Sequence, residues 1–325
     1  MSFQVFLKHT LQPLHVKLEL PAFTMVWFFL LVLLYFYFVV GPQSQWERGC
    51  TSQTERQERD SWEGTAKPFL FIGVLSTASN VKQRDALRDT WMSDPLVTSG
   101  TILVKFFISN STRHLLSPEE QQHLQHQFVL VDCQDTYGAM FRKSEAIMEY
   151  GAKLTNATFV MKADDDTLIF PLQLMEFLKA NEHRAKDLWV SGRAETKMKR
   201  SSDPESEFFI EESIWGEEVF PPYPQGGGYV MTVPLAEYFT TQLRMDHFPR
   251  HKWFEDLSIG LWIEQCKKEG VTIELQSDKR FVRTACVKGK EAVKHPFHMH
   301  RLKNSEKIRC IWGRYLEGEE NLCCF

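Results

Sequence analysis

The sequence has little that would favour a nucleic-acid-binding or zinc-binding protein. Its 38 Lys and Arg residues are outnumbered by 42 Asp and Glu residues, and the net charge of −4 gives no electrostatic case for nucleic acid. The seven cysteines show no Cys-x-x-Cys repeats, which argues against a zinc site. No segment repeats along the chain. After residue 66, the length suits one large domain.

One long apolar run lies near the amino terminus. Residues 22–40 carry no charged side chain, and at roughly 1.5 Å per residue a helix of this length crosses about 28 Å, enough to span a bilayer. Lys8 and Lys17 precede the run and favour a cytoplasmic amino terminus. We therefore predict a cytoplasmic tail at 1–21, a type II single-pass signal-anchor at 22–40, a polar stem at 41–66 and a lumenal catalytic domain at 67–325.

Two further features fit a lumenal location for the part after the apolar run. Asn110 and Asn156 each begin an Asn-x-Thr sequon for N-glycosylation. Cysteines without metal-type spacing favour disulfides in an oxidising compartment. One of the seven must remain free or link two chains, and Cys50 in the predicted stem is the candidate for the second role.

From Pro68 onward, short apolar runs alternate with segments of helical period, which is typical of a sheet with crossover helices. The predicted strands are 69–75, 102–108, 128–131 and the apolar run 157–163, and the predicted helices are 81–92, 118–127 and 137–154. The expected fold is α/β, with the carboxyl ends of the strands at one ligand-binding edge.

Asp164, Asp165 and Asp166 directly follow the last of these strands. Three adjacent carboxylates cannot be buried in a packed strand without a counter-charge, so they predict a strand end where a divalent cation collects them. Such a cation would neutralise the phosphates of a nucleotide diphosphate. The alternative is a solvated acidic turn.

Arg84 and Arg88 lie four residues apart at the start of the predicted helix 81–92, and Trp91 follows them. Both guanidinium groups share one helical face, where they and the helix dipole could meet a nucleotide. The alternative is an ordinary charged face with Trp91 in the core.

Three consecutive glycines, residues 226–228, follow a proline-rich stretch that contains Tyr223. Glycine lets a ligand approach the backbone, and tyrosine rings stack on sugar faces. The alternative is a tight loop that leads into a strand.

Glu255 and Asp256 precede an amphipathic segment. The dipole of a helix that begins there would keep Asp256 ionised, and in an apolar pocket it could accept a proton from a hydroxyl group. The alternative is a helix cap, a position that Asp often occupies.

His295, His298 and His300 lie within six residues near the carboxyl end. This density suggests a metal or phosphate contact. His298 and His300 would point opposite ways on an extended segment, so at most one of them reaches a metal. A surface cluster is the alternative.

Taken in order, four motifs resemble the β1,3-galactosyltransferases of glycosyltransferase family 31, which also holds β1,3-N-acetylglucosaminyltransferases and the fringe proteins. The motifs are Arg-x-x-x-Arg-x-x-Trp, Lys-x-Asp-Asp-Asp, Tyr-Pro-x-Gly-Gly-Gly-Tyr-Val and Glu-Asp-x-x-x-Gly, and the resemblance covers about residues 67–302. This chain departs from the family pattern at Gln83, where arginine is more usual, and at Leu257, where valine is more usual.

The resemblance implies a GT-A fold, a Rossmann-like mixed sheet flanked by helices, which acts on a UDP-sugar with Mn²⁺ in the Golgi membrane. It implies that Asp256 is the catalytic base of an inverting transfer to a glycan or glycoprotein acceptor. Asp164, Asp166 and His300 are the expected metal ligands, the last because fringe proteins carry a metal-binding histidine in a similar Phe-His-x-His stretch. The residues expected at the UDP-sugar are Arg84, Arg88, Lys162, Asp164, Asp165, Gly227, Gly228 and Glu255.

Galactose is the donor sugar that the resemblance favours, with N-acetylglucosamine as the alternative. A non-catalytic, membrane-anchored glycan-binding protein is a further alternative, although such a protein needs no base beside a metal. The charged segment 194–220 is expected to be a mobile loop that selects the acceptor.

Overall fold

The computed structural model describes residues 67–136, 140–206, 209–248, 255–284 and 293–324. They all belong to one unit, Cys50–Phe325, while a second unit, Met1–Gly49, lies outside the described residues. The predicted tail, membrane span and stem, residues 1–66, therefore also lie outside them and stay predictions. Among the described residues, no helix combines the length and apolar character needed to cross a membrane.

The strands form two sheets. The described strands are β1 (Leu70–Leu75), β2 (Ile102–Ser109), β3 (Phe128–Val131), β4 (Phe159–Asp164), β5 (Leu168–Ile169), β6 (Trp189–Glu195), β7 (Tyr223–Thr232), β8 (Glu274–Ser277), β9 (Phe281–Val282) and β10 (His298–Met299). The main sheet has seven strands in the order β3-β2-β1-β4-β7-β6-β8, and the small sheet has the order β5-β10-β9.

Strand direction changes within the main sheet. The strands β3, β2, β1 and β4 are parallel, whereas β7 is antiparallel to both β4 and β6. All six residues of β1 are buried, as expected for an apolar strand with helices on both faces of the sheet. The carboxyl ends of β1 and β4 therefore meet at one edge of the sheet, beside the amino-terminal half of β7.

The helices cover both faces of the main sheet. The described α-helices are α1 (Val81–Asp89), α2 (Pro95–Thr98), α3 (Pro118–Gln122), α4 (Leu124–Gln127), α5 (Met140–Leu154), α6 (Pro171–Ala180), α7 (Val233–Arg244), α8 (Glu255–Lys268) and α9 (Ser305–Leu316). One buried apolar cluster joins the sheet to α1, α6 and α9, and another joins it to α5, α7 and α8. This layering confirms the predicted mixed sheet flanked by helices.

The predicted strands agree with the structure to within two residues at each end, and the larger differences lie in the helices. The strand 128–131 is confirmed to the residue. The helix predicted at 118–127 is instead two short helices, α3 and α4, separated at His123. The helix predicted at 81–92 ends at Asp89 and is followed by a 3₁₀ turn, Trp91–Ser93.

The carboxyl-terminal part of the chain packs back onto the sheet edge. In the small sheet, His298 pairs with Ile169 on one side and Phe281 on the other. Cys310 in α9 forms a disulfide with Cys324, which confirms a disulfide for these two of the seven cysteines. The strand pair β5 and β10 thus brings the histidine-rich segment next to the turn that follows β4.

The charged segment between β6 and β7 is more ordered than the mobile loop expected from its composition. Isolated bridges pair Lys199 with Val219 and Ser201 with Phe209. Ile210 and Phe220 are buried in a small apolar cluster with three further residues, Tyr223, Leu257 and Leu261. The segment is therefore packed on the first turns of α8.

Candidate active site

The three acidic residues lie where β4 ends, as predicted. Asp164 is the last residue of β4 and pairs with Leu75, the last residue of β1. A tight turn follows, in which the backbone N–H of Thr167 donates to the carbonyl of Asp164 at 3.1 Å. The buried hydroxyl of Thr167 donates to the carbonyl of Gly227 in β7 at 2.8 Å. This contact fixes the acidic turn against the neighbouring strand.

His300 lies against two of the three acids. Its Nε2 atom is 3.3 Å from Oδ2 of Asp164 and 3.1 Å from Oδ1 of Asp166. One ligand atom from each of these three residues lies within 4.8 Å of the others. Burial opposes protonation, but the two carboxylates raise the pKa of His300 to about 9. The two carboxylates supply negative charge, and the spacing of the three residues suits a divalent cation.

Lys162 connects the end of β4 to the start of α8. Its side chain is 2% exposed, and its Nζ atom lies 2.8 Å from Oδ1 of Asp164 and 3.0 Å from Oε2 of Glu255. It also donates to the carbonyl of Gly226. Although burial alone lowers it, these carboxylates raise the pKa of Lys162, so the side chain stays charged. Its three N–H donors are used inside the protein.

Lys162 holds the acids of two separate elements close together. Its three donors face Asp164, Glu255 and Gly226, and its contact with UDP stays a prediction. Tyr229, on β7, donates its hydroxyl to the other oxygen of Glu255. The lysine and the tyrosine together fix Glu255 at the amino terminus of α8.

Asp256 is held beside Glu255 in the first turn of α8. Its Oδ2 accepts from the N–H of Gly226 at 2.9 Å, and its Oδ1 accepts from the N–H of Leu257 at 2.8 Å. Burial, followed by the nearby charge of Glu255, raises the pKa of Asp256 to about 6. The residue is partly buried, and with this pKa its carboxylate is ionised at neutral pH. An ionised carboxylate with a raised pKa suits general-base chemistry.

The three glycines belong to β7, not to a loop, and each leaves room for a neighbouring side chain. A Cβ at Gly226 would lie 3.1 Å from Oδ2 of Asp256, and one at Gly227 would lie 2.2 Å from Cγ of His300. At Gly228 a Cβ would lie 3.3 Å from Nε2 of His298. The glycines therefore let the protein's own functional groups approach the strand.

Gly227→Ala is expected to weaken metal binding, because a methyl group would displace the ring of His300 from Asp164 and Asp166. Loss of a group that orients a metal site typically costs about ten- to a hundredfold in affinity. Titration of the purified protein with Mn²⁺ measures the change. Gly313→Ala is the control, since a Cβ there meets nothing within 4 Å and alanine favours the helix. Equal Mn²⁺ affinity in the two variants would contradict the expectation.

The carboxylate of Asp165 points away from the cluster of Asp164, Asp166 and His300, towards the loop that follows β1. Its Oδ2 accepts from the hydroxyl of Ser76 at 2.7 Å and from Nδ2 of Asn80 at 2.9 Å. Burial raises the pKa of Asp165 to about 6, even though these two hydrogen bonds favour its charged form. Asp165 therefore ties the acidic turn to the loop 76–80.

Arg84 faces the protein in this structure. The side chain is fully buried, and its five N–H donors are all used: two on Glu120, one each on the hydroxyl of Ser76 and the carbonyls of Thr77 and Ala78. A contact of Arg84 with UDP would have to replace one of these hydrogen bonds, and it stays a prediction.

Arg88 also faces the protein rather than the acidic cluster. It donates to Asp85, Glu120 and Gln127 at 2.8, 2.8 and 3.0 Å. Its guanidinium lies over the ring of Phe106, 5.2 Å from the centroid. These contacts engage three of the five N–H donors of Arg88, and its contact with UDP stays a prediction.

Of the three histidines, only His300 meets the acids. His295 is exposed. His298 is buried on the other side, with its ring 5.3 Å from that of Phe281, and burial lowers its pKa to about 3, so it is neutral. The sequence alone does not decide which histidine reaches the acidic turn, and in the structure it is His300.

Two important residues were not found from the sequence. Glu120 lies three residues after Ser117, whose hydroxyl accepts from its N–H at 3.2 Å, so a helix-capping pattern explains the acid without any ion pair. Tyr229 directly follows the glycines, and nothing near it in the sequence indicates that its hydroxyl donates to Glu255. Both partners are distant along the chain, and no local pattern indicates them.

A family model described as Galactosyltransferase matches residues 82–274, more than half of the 325 residues. The beta-1,3-galactosyltransferase GALT1 of Arabidopsis thaliana is 28% identical over 258 residues, which cover 78% of this chain and 38% of that protein. The hydroxyproline O-galactosyltransferase GALT5 of the same plant is 29% identical over 264 residues, which cover 78% of this chain and 36% of that protein.

A mouse (Mus musculus) protein named N-acetyllactosaminide beta-1,3-N-acetylglucosaminyltransferase 2 is 24% identical over 208 residues, 61% of this chain and 51% of that protein. The chain matches less than two-fifths of the length of the two plant relatives. Among solved structures, the galactosyltransferase LgtC in complex with donor and acceptor sugar analogs is similar over 71% of this chain and 86% of that chain, at 11% identity and a TM-score of 0.37. The match of the family model shows that the chain belongs to the Galactosyltransferase family.

Proposed function

We propose that the protein is an inverting, metal-dependent β1,3-galactosyltransferase that moves galactose from UDP-galactose to a hydroxyl of a glycan or glycoprotein. The contact of Lys162 with both Asp164 and Glu255 carries the proposal. It joins the acids that suit a cation to the helix start that holds Asp256. One site can therefore hold both a cation beside the departing UDP and a base beside the attacking hydroxyl.

The cation is proposed to be Mn²⁺, held by Asp164, Asp166 and His300. The residues fit a cation, because Oδ2 of Asp164 and Oδ1 of Asp166 both face Nε2 of His300, at 3.3 and 3.1 Å, and one ligand atom from each residue lies within 4.8 Å of the others. Two carboxylates and an imidazole are donors that divalent metal ions accept. When bound, the cation supplies positive charge that stabilises the departing UDP.

Asp256 is proposed to take the proton from the acceptor hydroxyl. Two backbone N–H groups orient the carboxylate, and its raised pKa makes it a stronger base than an ordinary aspartate. The activated oxygen then attacks the anomeric carbon from the side opposite the UDP. The bond to the β-phosphate oxygen breaks, the new glycosidic bond forms, and the configuration inverts.

The pH dependence of transfer is expected to report Asp256. With a pKa of about 6, the carboxylate is ionised above pH 6 and protonated below it, so transfer falls about tenfold per pH unit below 6. The measurement is kcat/KM for the acceptor at saturating donor, from pH 5 to 8. UDP binding over the same range is the control, because it shows whether the metal site has failed instead. A flat transfer profile with constant UDP binding would contradict the assignment.

The identity of the donor sugar distinguishes the proposal from its main alternative. The similarity to a protein named as an N-acetylglucosaminyltransferase supports UDP-GlcNAc as the second candidate. Wild-type protein with Mn²⁺ would be offered UDP-galactose and UDP-GlcNAc, with UDP release as the readout. Faster release from UDP-galactose supports the proposal, and faster release from UDP-GlcNAc replaces it. Relatives named for transfer to hydroxyproline make a hydroxyproline peptide a suitable acceptor beside glycans.

The setting of this activity is also a proposal. We place the enzyme in the Golgi membrane as a type II single-pass protein with a lumenal catalytic domain. The apolar run 22–40, the preceding Lys8 and Lys17, and the two sequons support this placement. Protease protection of the tagged amino and carboxyl ends in intact microsomes tests it. A protected carboxyl-terminal tag agrees with the proposal, and a digested one contradicts it.

A further inference from the structure

The arginine motif at the start of α1 has no direct part in the proposed reaction. Arg84 faces Glu120 and donates two hydrogen bonds of 2.7 Å to its carboxylate, through Nε and Nη2. Glu120 is 4% exposed and also meets Nη2 of Arg88 at 2.8 Å. Burying one carboxylate together with two arginines costs free energy, because the charged groups must leave water. The presence of these charges in the fold therefore needs a structural or functional reason.

The remaining donors of Arg84 hold the loop that follows β1. Nη1 donates to the hydroxyl of Ser76 at 2.9 Å and to the carbonyl of Thr77, while Nη2 donates to the carbonyl of Ala78 at 2.9 Å. Lys143 holds the same loop from α5, by donating to the carbonyl of Ser76 at 2.9 Å. The buried, positively charged side chains of Arg84 and Lys143 thus fix three consecutive loop residues, 76–78.

The loop in turn holds the middle acid of the triplet. Ser76 accepts a hydrogen bond from Arg84 and donates its own proton to Asp165 at 2.7 Å. Asn80 donates to the same oxygen at 2.9 Å. A continuous path of hydrogen bonds therefore runs from Glu120 through Arg84 and Ser76 to Asp165, which lies between two of the proposed cation ligands.

We propose that Arg84 and Glu120 are positioning residues, which fix the loop 76–80 and Asp165 so that the site is shaped for the nucleotide diphosphate before it binds. This rests on the proposed function. The pair acts through the loop and touches neither the sugar nor the phosphates. Preorganisation of this kind lowers the ordering cost of binding, so its loss weakens UDP binding more than it slows the chemical step.

Glu120→Gln tests the role, because it keeps the shape of the side chain and removes its charge. We expect the affinity for UDP with Mn²⁺, measured by calorimetry on the full chain, to fall about ten- to a hundredfold, as for other groups that orient a site. The KM for the donor should rise by a similar factor, with a smaller change in kcat. The control is Arg184→Gln, which breaks the ion pair with Glu274 near the start of β6, away from the edge that carries Asp164. Its UDP affinity should equal that of the wild type.

Ser76→Ala keeps the proposal testable if Glu120→Gln does not fold. It leaves the buried ion pair intact and removes the hydroxyl that joins Arg84 to Asp165. A folded Glu120→Gln protein with wild-type UDP affinity, or wild-type affinity in Ser76→Ala, would overturn the positioning role and leave the pair with stability alone. If the wild-type protein itself binds no UDP, the proposed function fails as well.

Discussion

Asp256→Asn is expected to lower the rate of sugar transfer by about two to four orders of magnitude, the usual contribution of a general base. The amide cannot take a proton from the acceptor hydroxyl. It can still accept a hydrogen bond from the N–H of Gly226 or Leu257, so the start of α8 should keep its conformation. Metal-dependent UDP binding should be retained, since Asp256 is not among the proposed cation ligands. The measurements are the transfer rate and the affinity for UDP.

Glu264→Gln is the matched control for this substitution. Glu264 lies on the same helix and is 25% exposed in an ion pair with Lys267, so its loss should leave both measurements unchanged. Joint loss of transfer and UDP binding in Asp256→Asn would mean that the carboxylate is structural, and wild-type transfer would exclude it as the base.

Asp166→Ala is expected to abolish the metal-dependent part of UDP binding, and transfer with it. The substitution removes one of three clustered ligands and leaves Asp164 and His300, too few to hold a divalent cation firmly. UDP affinity should fall to the value that the wild type shows with a chelator. Calorimetry with and without Mn²⁺ gives both values.

Asp89→Ala removes a carboxylate elsewhere and is the control for the loss of charge. Asp89 is largely exposed at the end of α1, where it pairs with Arg309. Its UDP affinity should match that of the wild type and should remain dependent on Mn²⁺. Metal-dependent UDP binding that survives in Asp166→Ala would show that the cluster is not the cation site.

The strands and the acidic edge could be predicted from the sequence because their signals are local. An apolar run that is followed by three carboxylates is compatible with few folded arrangements. In the structure β4 ends at Asp164, the first of the three. The helix start at Glu255 and Asp256 is equally local. These elements need no knowledge of distant partners.

The side-chain partners could not be predicted, because they are distant in the sequence. The charge of Arg84 suggests a phosphate contact until Glu120, thirty-six positions later, is seen to neutralise it. Lys162 is explained in the same way by Glu255. The glycines 226–228 suggested space for a ligand, whereas the structure fills that space with Asp256, His298 and His300. Burial decides which charges are free, and a single sequence does not show burial.

UDP release by the full chain, offered UDP-galactose and acceptor with Mn²⁺, then with a chelator, and then with Mn²⁺ restored, tests the central claim most directly. The account predicts release that stops with the chelator and returns with the metal, because Asp164, Asp166 and His300 bind the cation that the departing UDP needs. Release that continues unchanged in the chelator would contradict it.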